Sequence, residues 1–264
     1  MISKSKLHVP RLALAGACVA LATTAAWCAV PAGFVRQTIP LNAPPLGLAF
    51  DADGVLYALE GADFGNNQAT LRAFLPDGTD AGSSPPYGDD PFSFYIDGMT
   101  YDPVGDRLLI TDNTAEGKLL AVDKLGNVTT IASNISYLAG VAVRPTGEIF
   151  VSTAGGFGAG TVLQVDRTSG TTFTVLTGLD YSADLTFDAS GNLLVQDANS
   201  FTFRGRIQRL SITETPGGLE FGPATLVADD LESSYGIAFD SEVELFATGA
   251  GGLYHIDESL SGEG

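Results

Sequence analysis

Gly236-Ile-Ala-Phe-Asp240 is one of five copies of a single phrase, and that recurrence decides the fold. The others are Gly47-Leu-Ala-Phe-Asp51, Gly98-Met-Thr-Tyr-Asp102, Gly140-Val-Ala-Val-Arg144 and Asp184-Leu-Thr-Phe-Asp188. Their final residues lie 51, 42, 44 and 52 positions apart. Short β-type units repeating at about 40–50 residues are the mark of a β-propeller, a ring of four-stranded blades around a channel.

Each unit has the same grammar. The phrase is a first strand, small and apolar throughout, as suits a strand buried near the channel. A polar turn follows, as in Asp53-Gly54, Gly105-Asp106 and Thr146-Gly147, made of residues that tolerate positive φ. Second strands are predicted at 55–59, 107–111, 148–152, 192–196 and 244–248. Third strands are predicted at 70–75, 118–123, 161–166, 205–210 and 252–257, and fourth strands at 127–131, 171–176 and 224–227. Apolar residues alternate or run in short β-branched blocks, so no helix is predicted after the first 29 residues.

The count of strands bears on ring closure. The last unit has three, and residues 34–41 precede the first unit without a partner of their own. As the fourth strand of the last blade they would complete five blades and cover sheet edges. The alternative is a six-bladed ring cut short after Gly264. In the first unit residues 80–90, rich in Gly, Ser, Pro and Asp, read as a loop rather than a fourth strand.

Residues 1–29 read as a secretory signal peptide: Lys4, Lys6 and Arg11, then an apolar run from Leu12 to Leu21, then small residues. Residues 30–264 read as one propeller domain. Both cysteines, Cys18 and Cys28, fall in the leader, so no disulfide or thiol chemistry is expected in the domain. His255 is its only imidazole, which excludes a multi-histidine zinc site.

Beyond the leader, 10 basic residues stand against 31 acidic ones, a formal net charge of −21. Such a domain repels phosphate backbones and anionic membranes, so neither nucleic acid nor a membrane is an expected partner. Export, a monomeric state, and a small-molecule, carbohydrate or protein ligand are expected.

In this topology the starts of first strands and the ends of second strands share one mouth of the ring, where functional loops collect. Asp97 precedes its phrase, and Asp184 replaces a glycine kept in the other four units. Second strands end at Asp112 and Asp197. These four carboxylates are candidate ligands for a hard cation such as calcium or magnesium. Phe64, Phe157 and Phe201 lie in rim loops and Arg204 lies beside the last of them, so these are candidate ligand contacts. Asp51-Ala-Asp53-Gly54 reads as a turn rather than a calcium loop. Gly155–Gly160 has no following helix and so is not a phosphate-binding loop.

The phrases Ile96-Asp-Gly-Met-Thr-Tyr-Asp102 and Leu138-Ala-Gly-Val-Ala-Val-Arg-Pro-Thr-Gly-Glu-Ile-Phe-Val-Ser152 resemble NHL-repeat propellers and the related senescence-marker/gluconolactonase propellers. The lactonase resemblance implies a channel metal, with Asp97 at the position of an Asp-Gly-Met ligand. Pro45-Leu46 and Leu138-Ala139 stand where that family has further ligands. A secreted binding or scaffold module is therefore the expected function. The alternative is a metal-dependent hydrolase of a lactone or sugar ester.

Overall fold

The computed structural model describes residues 38–43, 45–61, 69–84, 96–155, 158–199, 201–232, 234–240, 243–249 and 252–257. Their strands form five antiparallel sheets, each sequential in order, as the blades of a five-bladed β-propeller. Blade 1 holds β1 (Pro45–Phe50), β2 (Leu56–Glu60), β3 (Thr70–Phe74) and β4 (Asp80–Ser83). Blade 2 holds β5 (Ile96–Asp102), β6 (Arg107–Asp112), β7 (Leu119–Asp123) and β8 (Val128–Ala132). Blade 3 holds β9 (Leu138–Val143), β10 (Ile149–Thr153), β11 (Gly160–Val165) and β12 (Thr172–Leu179). Blade 4 holds β13 (Tyr181–Phe187), β14 (Leu193–Ala198), β15 (Arg204–Thr215) and β16 (Gly218–Glu232). Blade 5 holds β17 (Ile237–Phe239), β18 (Leu245–Gly249) and β19 (Gly252–Ile256).

Each position of the repeated phrase has a structural task. Its final Asp ties the hairpin that follows: Asp51 Oδ1 accepts from the amides of Asp53 and Val55, both at 2.9 Å. Asp188 Oδ1 does the same for Ser190 and Asn192. The Asp51 segment is thus the turn expected from its sequence. The phrase's glycine lets the next blade approach. A Cβ on Gly140 would meet the Cα of Asp184 at 2.8 Å, and one on Gly98 the Ala139 carbonyl at 2.5 Å.

The second strands stitch neighbouring blades. Ser152 Oγ accepts from the Gly140 amide at 2.9 Å and donates to the Ser182 carbonyl of blade 4 at 3.0 Å. Thr111 plays the same part between blades 2 and 3. Gln196 reaches from blade 4 to blade 5, donating to the Ser234 carbonyl at 3.0 Å. The core therefore lies between blades, in apolar clusters that join blades 1 and 2, 2 and 3, 3 and 4, and 4 and 5.

Three expectations are corrected. Residues 80–83 are a strand, not a loop: Asp80 pairs with Phe74 and ion-pairs with Arg72, and the whole edge is exposed. An outer edge strand needs hydrogen-bonding partners more than it needs apolar side chains, which is why its composition misled. The outer strands of blade 4 run far beyond 205–210 and 224–227, because β15 and β16 continue as one long hairpin to Thr215 and Gly218. Phe221 of that extension packs edge-on to Phe150 of blade 3, with ring centroids 6.1 Å apart. Finally, residues 38–41 are not a strand. They pass over blade 1, where the Pro40 carbonyl accepts from Arg72 and the Asn42 amide donates to Glu60. Residues 34–37 of the expected closing strand lie outside the described residues.

Candidate binding site at the channel mouth

The first strands are irregular where they enter the mouth. On β5, Ile96 pairs with Asp112 and Met99 with Ile110, which leaves Asp97 and Gly98 against Thr111 alone. That is a β-bulge, a device that re-aims a side chain. It turns Asp97 out of the ladder, and the residue is exposed. A matching irregularity on β13, between Ser182 and Asp184, precedes the second odd carboxylate.

Asp97 is held from two directions. Asn113 Nδ2, at the end of β6, donates to Asp97 Oδ2 at 2.7 Å. The Tyr181 hydroxyl, at the start of β13, donates to the same oxygen at 3.3 Å. Tyr181 in turn meets Tyr235, which leads into blade 5, edge to face with centroids 6.3 Å apart. Asn113, Asp97, Tyr181 and Tyr235 thus form a polar and aromatic string linking blades 2, 4 and 5 across the mouth. The surrounding protein pushes the Asp97 pKa up, against the bonds from Asn113 and Tyr181. Burial and the Asp97 charge push the Tyr181 hydroxyl up to about 12.

Asp184 lies deeper. Its Oδ1 accepts from the Leu185 amide at 2.8 Å and its Oδ2 from the Ile237 amide of blade 5 at 3.0 Å. Burial pushes its pKa up to about 7; the two amides oppose the shift and the Asp97 charge adds to it. A buried carboxyl of this kind holds its proton at mildly acidic pH.

The other candidate residues have local duties. Asp197 accepts from the amides of Asp180 and Tyr181 and from Arg206, whose Nη2 is 2.7 Å away. Asp112 is buried at the end of β6 and accepts from the Thr114 hydroxyl at 3.2 Å. Among the described residues no three His, Cys, Asp or Glu side chains form a group able to hold a metal. Phe201 is 72% exposed on the loop between β14 and β15. Arg204 turns toward the outer strand, 3.3 Å from Asp230. Arg209 belongs to the opposite end of the blade, paired with Asp188 at 3.0 Å. Phe64 and Phe157 lie outside the described residues.

Sequence reasoning passed over Tyr181 and Tyr235. Their signal is position: Tyr235 directly precedes a repeated phrase, as Asp97 does, and Tyr181 opens the same first strand three residues before Asp184, so both lie at the same mouth.

Fold and site together define a five-bladed β-propeller with a polar and aromatic channel mouth. No family model matches the chain, and no curated protein matches it in sequence. Its fold is shared by gluconolactonase-like propellers among solved structures. A protein assigned as a gluconolactonase is 17% identical, with 83% of this chain and 80% of that one covered and a TM-score of 0.52. A gluconolactonase from Xanthomonas campestris is 15% identical, with 81% and 66% covered and a TM-score of 0.51. An auxiliary nutrient binding protein from Bacteroides thetaiotaomicron is 13% identical, with 80% and 56% covered and a TM-score of 0.57. The chain thus spans just under two thirds of the Xanthomonas protein and little over half of the Bacteroides one. At these identities the likeness is one of fold.

Proposed function

We propose that the chain is an exported, monomeric binding module whose channel mouth takes a small extracellular ligand. The observation that carries this reading is the string from Asn113 through Asp97 and Tyr181 to Tyr235. It joins three blades, presents an exposed carboxylate beside an aromatic corner, and sits where a propeller frame is rigid. The nutrient-binding role named for the Bacteroides neighbour is of the same kind.

A second reading is a hydrolase of a lactone or sugar ester, assisted by calcium or magnesium. Asp184 favours it, since a carboxyl with a pKa near 7 suits proton transfer at neutral pH. Two measurements separate the readings: thermal melts against small ligands and divalent metals, and a lactone hydrolysis assay. Ligand-dependent stabilisation without turnover is the expected result. Turnover that disappears in Asp184→Asn would replace the binding module with the hydrolase.

A further inference from the structure

Several carboxylates in the frame of this protein are matched by a basic side chain. Asp51 has Lys124 at 3.3 Å, Glu60 has Arg72 at 2.9 Å, and Asp102 has Arg107 and Arg167. Asp188 has Arg209 and Asp197 has Arg206. Asp97 and Asp184 differ from these: among the described residues neither pairs with a Lys or Arg. They also feel each other, since the Asp97 charge helps to raise Asp184. Asp97 therefore places at the mouth a negative charge without a basic partner among the described residues, in a domain already strongly acidic.

We infer that the mouth binds an organic cation, its ammonium group held between the Asp97 carboxylate and the rings of Tyr181 and Tyr235. This rests on the reading of the mouth as a binding site and names the chemistry of its ligand. Three features select this class. The Asp97 carboxylate, turned out of the ladder at the mouth, attracts a cation. The absence of a third acidic or histidine ligand among the described residues leaves a bare metal poorly coordinated. The two tyrosines stand at 88° to each other, so their faces form a corner of the kind that receives alkylammonium groups. Tyr235 is 46% exposed, which leaves that corner accessible. The Tyr181 hydroxyl and Asn113 fix the carboxylate without neutralising it.

The test is calorimetric titration of the full chain with choline, with its uncharged isostere 3,3-dimethylbutan-1-ol, with glucose and with calcium chloride. Choline is expected to bind saturably at millimolar concentration or below, and the isostere roughly tenfold more weakly or not at all. Asp97→Asn should lower choline affinity by roughly tenfold or more, and Tyr235→Leu should lower it severalfold. Should Asp97→Asn fail to fold, the wild type supplies the readout: choline affinity should fall as pH is lowered and Asp97 takes up its proton. Equal binding of choline and the isostere, or no choline binding, overturns the inference. Glucose binding that Asp97→Asn abolishes would also overturn it while leaving the mouth as a binding site. Choline binding unchanged in both variants overturns the inference and the placement of the site together.

Discussion

The carboxylate of Asp184 accepts a hydrogen bond from the Ile237 amide at 3.0 Å, and so joins blade 4 to blade 5. The four other blades have glycine at this position, and at Gly47, Gly98 and Gly140 the neighbouring blade approaches within the space a Cβ would need. In blade 4 the side chain spans the gap to blade 5, and Gln196 does the same one strand out. Asp184→Ala should leave the Ile237 amide without its acceptor and cost about 1–3 kcal/mol in denaturant unfolding.

The same residue sets a pH dependence. Its folded pKa of about 7 lies above the value near 4 of an unfolded aspartate. A raised carboxyl contributes stability that is complete below the unfolded pKa and is lost as pH rises through the folded one. Melting temperature should therefore decline between about pH 4 and pH 7 through this group. Asp184→Asn keeps an acceptor but cannot titrate, so its profile should be flatter over that interval. Parallel profiles for wild type and variant would refute the assignment.

Gly140 offers a steric test of how the blades approach. The atom that a new Cβ would strike is the Asp184 Cα, 2.8 Å away, with the Ala183 carbonyl at 3.1 Å. Both belong to backbone, which cannot rotate aside. Gly140→Ala should destabilise by about 1–3 kcal/mol, as overpacking does. Gly217→Ala, whose Cβ would meet only the Thr215 hydroxyl at 3.8 Å, is the control and should be near neutral.

What the sequence disclosed follows from which residues the ring constrains. The phrase is legible because its glycine, its apolar strand and its terminal Asp each answer to backbone geometry in every blade. Asp97 and Asp184 stood out as departures from that column, and the structure does bring them within electrostatic reach of each other. Asp112 and Asp197 carried the same residue type but serve their own blades. A carboxylate's partner is a tertiary fact: nothing local tells that Arg206 claims Asp197 while, among the described residues, no cation claims Asp97. Tyr181 was hidden for the same reason, since its partner lies 84 residues away. The β4 edge and the long β15–β16 hairpin are faint in the sequence because outer strands lack the apolar alternation that marks inner ones.

Asp102 gives the strongest prediction for a cross-blade ion pair. It is fully buried, with Arg107 of its own blade at 3.1 Å and Arg167 of blade 3 also bonded to it. Its Oδ1 accepts from the amides of Val104 and Gly105. Burial works to raise its pKa, but the arginines and amides win, and the pKa lies below the ordinary value. Its stabilisation is therefore present above the unfolded pKa and lost as pH falls below about 4. Asp102→Ala leaves two guanidinium groups without their partner and should cost about 3–5 kcal/mol. Urea unfolding at neutral pH measures it, and a loss below 1 kcal/mol would show that Arg167 finds another acceptor.

Arg144 stands where the other four phrases have Asp, and it reverses the sign of the contact between blades. Blades 1 and 2 offer Asp51 and Asp102 to a cation of the next blade, Lys124 or Arg167. Blade 3 offers the cation, and blade 4 answers with Glu214, 2.9 Å from Arg144 Nη2. Glu148 adds a longer contact at 3.6 Å. Arg144 is almost wholly buried while Glu214 is mostly exposed, so the two halves differ in weight. Glu214→Ala should cost about 1 kcal/mol or less, as an exposed partner does. Arg144→Asp should cost more, because the new carboxylate faces Glu214. Glu214→Lys in that background would rebuild the polarity of blades 1 and 2. The double variant is therefore expected to be more stable than Arg144→Asp alone by about 1 kcal/mol in a double-mutant cycle. Additive losses would mean that the reversed pair contributes nothing to the junction of blades 3 and 4.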